Sequence, residues 1–194
     1  IMTLEILKAD PRVQVVSVDN EPKMLDAVRT RFSKIEGVGD RVDFILADIL
    51  QFLEASQDES FDAFASVYTL HNFTPTFRRK VIELIARKLK SGGIFINGDK
   101  YAREGQEHKN DFNAEIENYA KFETAAVEAE KKGDLDRAAH LRKIREEWVN
   151  HAAEDETNKI TVEEQNRMFE DLGFSDIKWG KRFDLVTTVS AIKK

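Results

Sequence analysis

No cysteine occurs among the 194 residues. Disulfides, thiolate catalysis and cysteine-bound zinc are therefore excluded, and the absence fits a reducing cytoplasm. No apolar run approaches the roughly twenty residues that span a bilayer, so a membrane partner is not expected, and no secretory leader is visible. Positive charge is in short supply: 30 Lys and Arg against 36 Asp and Glu give a net charge of −6. A nucleic-acid backbone needs a basic face, so direct nucleic-acid binding is not expected either. The chain also lacks one particular use of glycine. No glycine-rich turn precedes its first apolar strand.

What is there reads as an alternation. Leu4, Ile6 and Leu7 belong to a first helix that ends before Asp10-Pro11. Val13 to Val18 is a short β-branched run, hence a buried strand. Pro22 suits the first turn of the next helix, which runs to about Lys34 with Met24, Leu25, Val28 and Phe32 on one face. Val42 to Asp48 is a second strand, and a short helix follows over about Leu50 to Ala55. Phe61 to Tyr68 is a third strand. Thr74-Pro75 opens a helix to about Lys90, closed by Ser91-Gly92-Gly93. Gly93 to Asp99 is a fourth strand. This order implies a parallel sheet with helices on both faces.

From about Ala102 to Glu156 the strand signal disappears. Phe112, Ile116, Tyr119 and Phe122, then Leu135, Ala138, Leu141, Ile144 and Trp148, have helical spacing, broken near Lys132-Gly133-Asp134. The segment reads as two or three helices, an insertion over the sheet edge or a lid on a pocket. Its exposed aromatics suit a homodimer contact. Thr161-Val162-Glu163-Glu164 is a capping-box signature for a helix that Gly173 ends. Phe174 to Trp179 and Arg182 to Ile192 alternate like strands around Gly180-Lys181, so the sheet ends in an antiparallel pair. The expectation is one domain over 1–194 with an insertion at 102–156.

The stretch Val15-Val16-Ser17-Val18-Asp19-Asn20-Glu21-Pro22 carries the chemistry. In a doubly wound sheet, a carboxylate ending the second strand accepts both hydrogen bonds of a ribose diol. Asp19 fits that role, and helix capping is the plainer alternative. The glycine turn expected about twenty residues earlier is missing, and Ile1-Met2-Thr3-Leu4 reads as the helix after it. The expectation is a longer protein whose first strand lies outside this chain.

In element order the chain resembles the class I S-adenosylmethionine-dependent methyltransferases. Val16 to Leu25 is similar to their second-strand motif, Phe44-Ile45-Leu46-Ala47-Asp48-Ile49 to the third, Phe61 to His71 to the fourth, and Leu89 to Ile96 to the loop before the fifth. The resemblance implies a Rossmann-like α/β fold with an antiparallel last strand, here without its first strand. It implies S-adenosylmethionine as cofactor, with S-adenosylhomocysteine as product. Asp19 and Asn20 would address the ribose, and Met24 the adenine. Asp48 and the Ile49 backbone would meet the adenine side, with Val67 a further cofactor contact; for Asp48 a plain helix cap is the alternative. The insertion and the stretch from Trp179 to Lys193 resemble the carboxy-S-adenosylmethionine synthases of tRNA wobble-uridine modification. There an arginine on an inserted helix holds the added carboxylate, and Arg145 falls at a similar place.

Methyl transfer from a sulfonium needs alignment and exclusion of water more than acid or base. His71 follows the third strand of this chain at the edge where such sheets bind ligands. It is a candidate general base of suitable pKa, with a structural histidine as the plainer alternative, and Tyr68 and Asn72 are acceptor-orienting neighbours. Asp99, Lys100 and Tyr101 end the next strand on the same side; a surface role is the default for Lys100. His108, His140 and His151 have no metal-like spacing, and His151 with Glu154 and Asp155 reads as a solvated loop. The expected activity is methyl transfer to a small molecule in the cytoplasm. The rivals are a carboxy-S-adenosylmethionine synthase-like enzyme and a non-catalytic binding or assembly module. A nicotinamide-dependent enzyme is disfavoured by the antiparallel end of the sheet.

Overall fold

The structure is a computed structural model and describes residues 2–35 and 37–194. Ile1, read above as part of the first helix, lies outside the described residues. In chain order the elements are α1 (Met2–Ala9), β1 (Val15–Asp19), α2 (Pro22–Phe32), β2 (Val42–Leu46), α3 (Ile49–Ala55), β3 (Phe61–Val67), α4 (Pro75–Lys88), β4 (Leu89–Lys100), α5 (Gly105–Lys131), α6 (Leu135–Glu156), α7 (Val162–Asp171), β5 (Phe174–Trp179) and β6 (Val186–Lys193).

Among the described residues the strands form two sheets rather than the single one expected. β1 and β2 pair in parallel, with Val15 opposite Val42 and Asp19 opposite Leu46. The second sheet has the order β3-β4-β6-β5. β3 and β4 are parallel, whereas β6 runs antiparallel to both β4 and β5. The antiparallel strand therefore lies inside the sheet, where the apolar Val189 and Ala191 are fully buried.

β1 starts at Val15 rather than Val13, and β2 stops at Leu46 rather than Asp48; two other boundaries move further. The expected glycine stop after α4 is part of β4. Leu89 is already extended, and Gly92, at φ +79°, falls where the β3–β4 register jumps from Phe61↔Leu89 to Ala63↔Ile94. Gly92 thus relieves an irregular ladder, a common use of glycine in a strand. The second strand of the last hairpin starts at Val186, not Arg182. Phe183 and Val186 exchange backbone hydrogen bonds in a tight turn of their own.

Three apolar clusters hold these elements. Leu53 of α3, Val81, Ile82 and Ile85 of α4, Phe95 of β4, Phe169 of α7, Phe174 of β5 and Val189 of β6 share the main core. Phe95, Phe169 and Phe174 meet there at ring-centre distances of 5.4 to 6.3 Å. Leu4, Leu7, Phe32, Val38 and Val42 form a second cluster under β1 and β2. The insertion is two helices, α5 and α6, joined at Gly133 (φ +79°). Their contact is lined by Ala126, Ala129 and Ala138, small side chains that let the helices approach closely. The capping box at Thr161 forms as expected: the Thr161 hydroxyl accepts from Glu164 N at 3.2 Å, and Thr161 N donates to Glu164 Oε2 at 2.8 Å.

Candidate functional site

Parallel strands put their carboxyl ends at one edge. Because Asp19 pairs with Leu46, the ends of β1 and β2 lie side by side. Asp19 is half-buried, and its Oδ1 accepts from Glu21 N at 2.9 Å. Its Oδ2 takes no hydrogen bond from the described residues. Glu21 in turn caps α2, accepting from Lys23 N at 3.1 Å. Asp48 is the N-cap of α3: its Oδ1 accepts from Leu50 N at 2.8 Å and Gln51 N at 3.3 Å. The capping alternative is thus realised at Asp48, while Ile49 opens the helix, where first-turn N–H groups lack intrahelical partners. Around these acids the apolar side chains are uncovered. Met24 is 56% exposed and Leu46 55%; Asn20 is exposed too. The edge thus presents a carboxylate with one oxygen free of hydrogen bonds from the described residues, beside bare apolar surface.

The end of β3 is distinctive. Val67 is partly exposed, and Tyr68 is 52% exposed with φ +54°. A bulky residue in the left-handed region is an outlier, held here by Tyr68 N donating to Gly98 O at 3.0 Å. The chain then makes one 3₁₀ turn, Leu70–Asn72. Arg78, itself buried, fixes that turn: Nε donates to Leu70 O at 3.0 Å and Nη2 to Asn158 O at 3.0 Å. Asn72 is exposed, and its carbonyl accepts from Asn158 Nδ2 at 3.3 Å.

His71 is only 4% exposed. Its Nδ1 lies 2.5 Å from Asp99 Oδ1, and its backbone N donates to Asp99 Oδ2 at 3.1 Å. Its Nε2 faces Asp155 Oδ2 at 3.3 Å. Burial works to lower the pKa of His71, but the Asp155 and Asp99 carboxylates outweigh it and hold the imidazole above its ordinary value. Burial likewise works to raise Asp155, and His71 overrides it downward. His71 is thus held between two carboxylates, with neither ring nitrogen turned to solvent.

Asp155 corrects the sequence reading directly. It belongs to the last turn of α6, not to a solvated loop, and is 2% exposed. Lys100, expected at the surface, is mostly buried and pairs with Glu115 of α5. Glu115 also meets Lys159 Nζ at 3.2 Å and accepts from the Tyr119 hydroxyl at 3.1 Å. The signal for Glu115 was available: with Phe112, Ile116 and Tyr119 it falls at i+3 on the apolar stripe of α5. A carboxylate on such a stripe is buried and needs partners. Arg145 is half-buried on α6, and its Nε is enclosed without a hydrogen-bond partner among the described residues. His151, exposed on α6, approaches Asp155 Oδ2 at 3.4 Å.

Residues 1–93 match the family described as a methyltransferase domain. Over 99 residues the chain is 31% identical to the carboxy-S-adenosyl-L-methionine synthase of Campylobacter lari, covering 51% of this chain and 39% of that protein. The chain thus spans about two fifths of the length of this curated relative. An O-methyltransferase family protein from Burkholderia thailandensis superposes with a TM-score of 0.63 at 15% identity, covering 98% of this chain and 46% of that one. PigF, solved with S-adenosylhomocysteine, gives a TM-score of 0.60 at 14% identity, covering 98% and 46%. At such identities the likeness is one of fold. Among the described residues no helix is long and apolar enough to cross a membrane.

Proposed function

Starting from the fold of the class I S-adenosylmethionine-dependent methyltransferases, we propose that this chain binds S-adenosylmethionine at the ends of β1 to β3 and transfers its methyl group to a small-molecule acceptor. The observation that carries the reading is Asp19 at the end of β1, in register with Leu46, its Oδ1 held by Glu21 N and its Oδ2 free among the described residues beside uncovered apolar side chains.

When bound, the cofactor would supply an electrophilic methyl group on a sulfonium, whose neutral thioether leaves without an acid. Asp19 would accept hydrogen bonds from the ribose diol, and Asn20 would close that pocket. Met24 would cover the adenine, Asp48 and the Ile49 N–H would address its edge, and Val67 would complete the cofactor contacts. Tyr68 and Asn72 orient the acceptor. His71, with Nδ1 fixed by Asp99, takes the acceptor's proton on Nε2. The helices over 102–156 act as a lid that excludes water.

A second reading, a carboxy-S-adenosylmethionine synthase-like enzyme, is supported by the enclosed, unpartnered Nε of Arg145. In that reading Arg145 holds a carboxylate added to the cofactor.

Isothermal titration of the chain and its Asp19→Ala variant with S-adenosylmethionine and S-adenosylhomocysteine tests the proposal. The expected result is binding that weakens by roughly 10- to 100-fold in the variant, the range for losing hydrogen bonds to a charged group. No binding by the folded wild-type chain overturns it in favour of an assembly module. Tighter binding of carboxy-S-adenosylmethionine, with the preference lost in Arg145→Gln, selects the second reading.

A further inference from the structure

The α5–α6 hairpin is fastened to the sheet edge by buried charge. Asp99 of β4, His71 of the 3₁₀ turn and Asp155 of α6 form a line, each no more than 4% exposed. Asp155 Oδ2 faces two imidazoles, His71 Nε2 at 3.3 Å and His151 Nε2 at 3.4 Å. Yet it makes no well-directed hydrogen bond. The contact is therefore one of charge against charge, with little geometry to lock it. Glu115 of α5 adds a second tie through Lys100 and Lys159.

We propose that Asp155 is the latch of a lid: it caps His71 Nε2, and the end of α6 must lift before an acceptor can use that nitrogen. This rests on the reading of His71 as the proton acceptor. In the closed form the carboxylate of Asp155 fills the direction from which an acceptor hydroxyl or amine would approach. Once Asp155 has lifted and the imidazole has given its Nε2 proton to solvent, an acceptor hydroxyl or amine can donate to the freed nitrogen, so opening and deprotonation precede its use.

The latch depends on pH in a defined sense. His71 faces Asp99 and Lys100 from β4, Asp155 from α6 and the ring of Tyr68, 6.3 Å away, at the end of β3. Asp155 faces His71, His151 and Lys100, and its charge reaches Tyr119 on α5. Because the His71 value is raised, its contribution is complete below the ordinary value of 6.5 and is lost as pH rises through the higher folded value. Because the Asp155 value is lowered, its contribution holds above 3.8 and fails only in stronger acid. The lid is tightest in mildly acidic solution and loosens toward alkaline pH.

Hydrogen exchange of the unliganded chain, corrected for intrinsic rates, tests this from pH 6 to 9. The amides of the last two turns of α6 should lose protection by about tenfold or more over that range while those of β4 do not. In Asp155→Asn the same turns should be weakly protected already at pH 6 and insensitive to pH. Protection of α6 that ignores pH, or that falls only together with β4, overturns the latch. Should the variant fail to fold, the wild-type series with β4 as internal reference still decides. No cofactor enters this experiment, so a chain that shows the latch but fails the titration above loses only the catalytic reading.

Discussion

Gly93 stands against the carbonyl of Lys90 more closely than any side chain allows. A Cβ on Gly93 would lie 2.8 Å from Lys90 O and 3.1 Å from Asp62 O. Both obstacles are backbone, so neither can swing aside.

Gly93→Ala should therefore destabilise the chain by about 1–3 kcal/mol, the usual cost of overpacking. Urea unfolding should show a lower midpoint at an unchanged slope.

Glu115 is the shared anion of two largely buried lysines. Burial works to raise its pKa, but Lys100 and Lys159 override this and hold it down. Glu115→Gln leaves both ammonium groups short of a counter-charge, though Lys159 keeps Glu156 at 2.5 Å. The expected loss is about 3 kcal/mol, read as a fall in the midpoint of thermal unfolding.

Thr161→Ala removes one half of the reciprocal cap on α7. The expected cost is about 1 kcal/mol, with the first turn of α7 fraying in hydrogen exchange while Phe169 stays packed.

Stability should fall on the acid side for a definite reason. Glu115 and Asp155 both titrate below their ordinary values of 4.5 and 3.8. Their contribution is present above those values and disappears as pH drops through the lower folded ones. A thermal-unfolding series should show a plateau in mildly acidic solution and a decline below about pH 4.

Much of this fold was legible in the residues. The β-branched run before Asp19, the prolines at α2 and α4, the break at Gly133 and the Thr161 cap are local signals, and each specifies structure within a few neighbours. The α4–β4 boundary was not legible in the same way. Ser91-Gly92-Gly93 has the composition of a helix stop, but pairing with β3 captured the residues before it, and the glycines became an irregularity in a strand. Propensity yields to a ladder that satisfies backbone hydrogen bonds.

The candidate site divides along the same line. By itself the sequence determined that Asp19 ends a strand, because it follows directly from an apolar run; Asp48, expected to end the next, stands just past β2 as the cap of α3. The sequence also marked His71 as a residue of the ligand edge. Only the tertiary structure decided what surrounds that histidine. Asp99 reaches it from 28 residues away along the chain, and Asp155 arrives on the far helix of an insertion. Glu115 becomes a buried anion only when α5 is laid against β4. Charges distant in sequence acquire partners through packing, and burial decides what those partners do: the imidazole of His71 is enclosed between two carboxylates, which hold its pKa above the ordinary value.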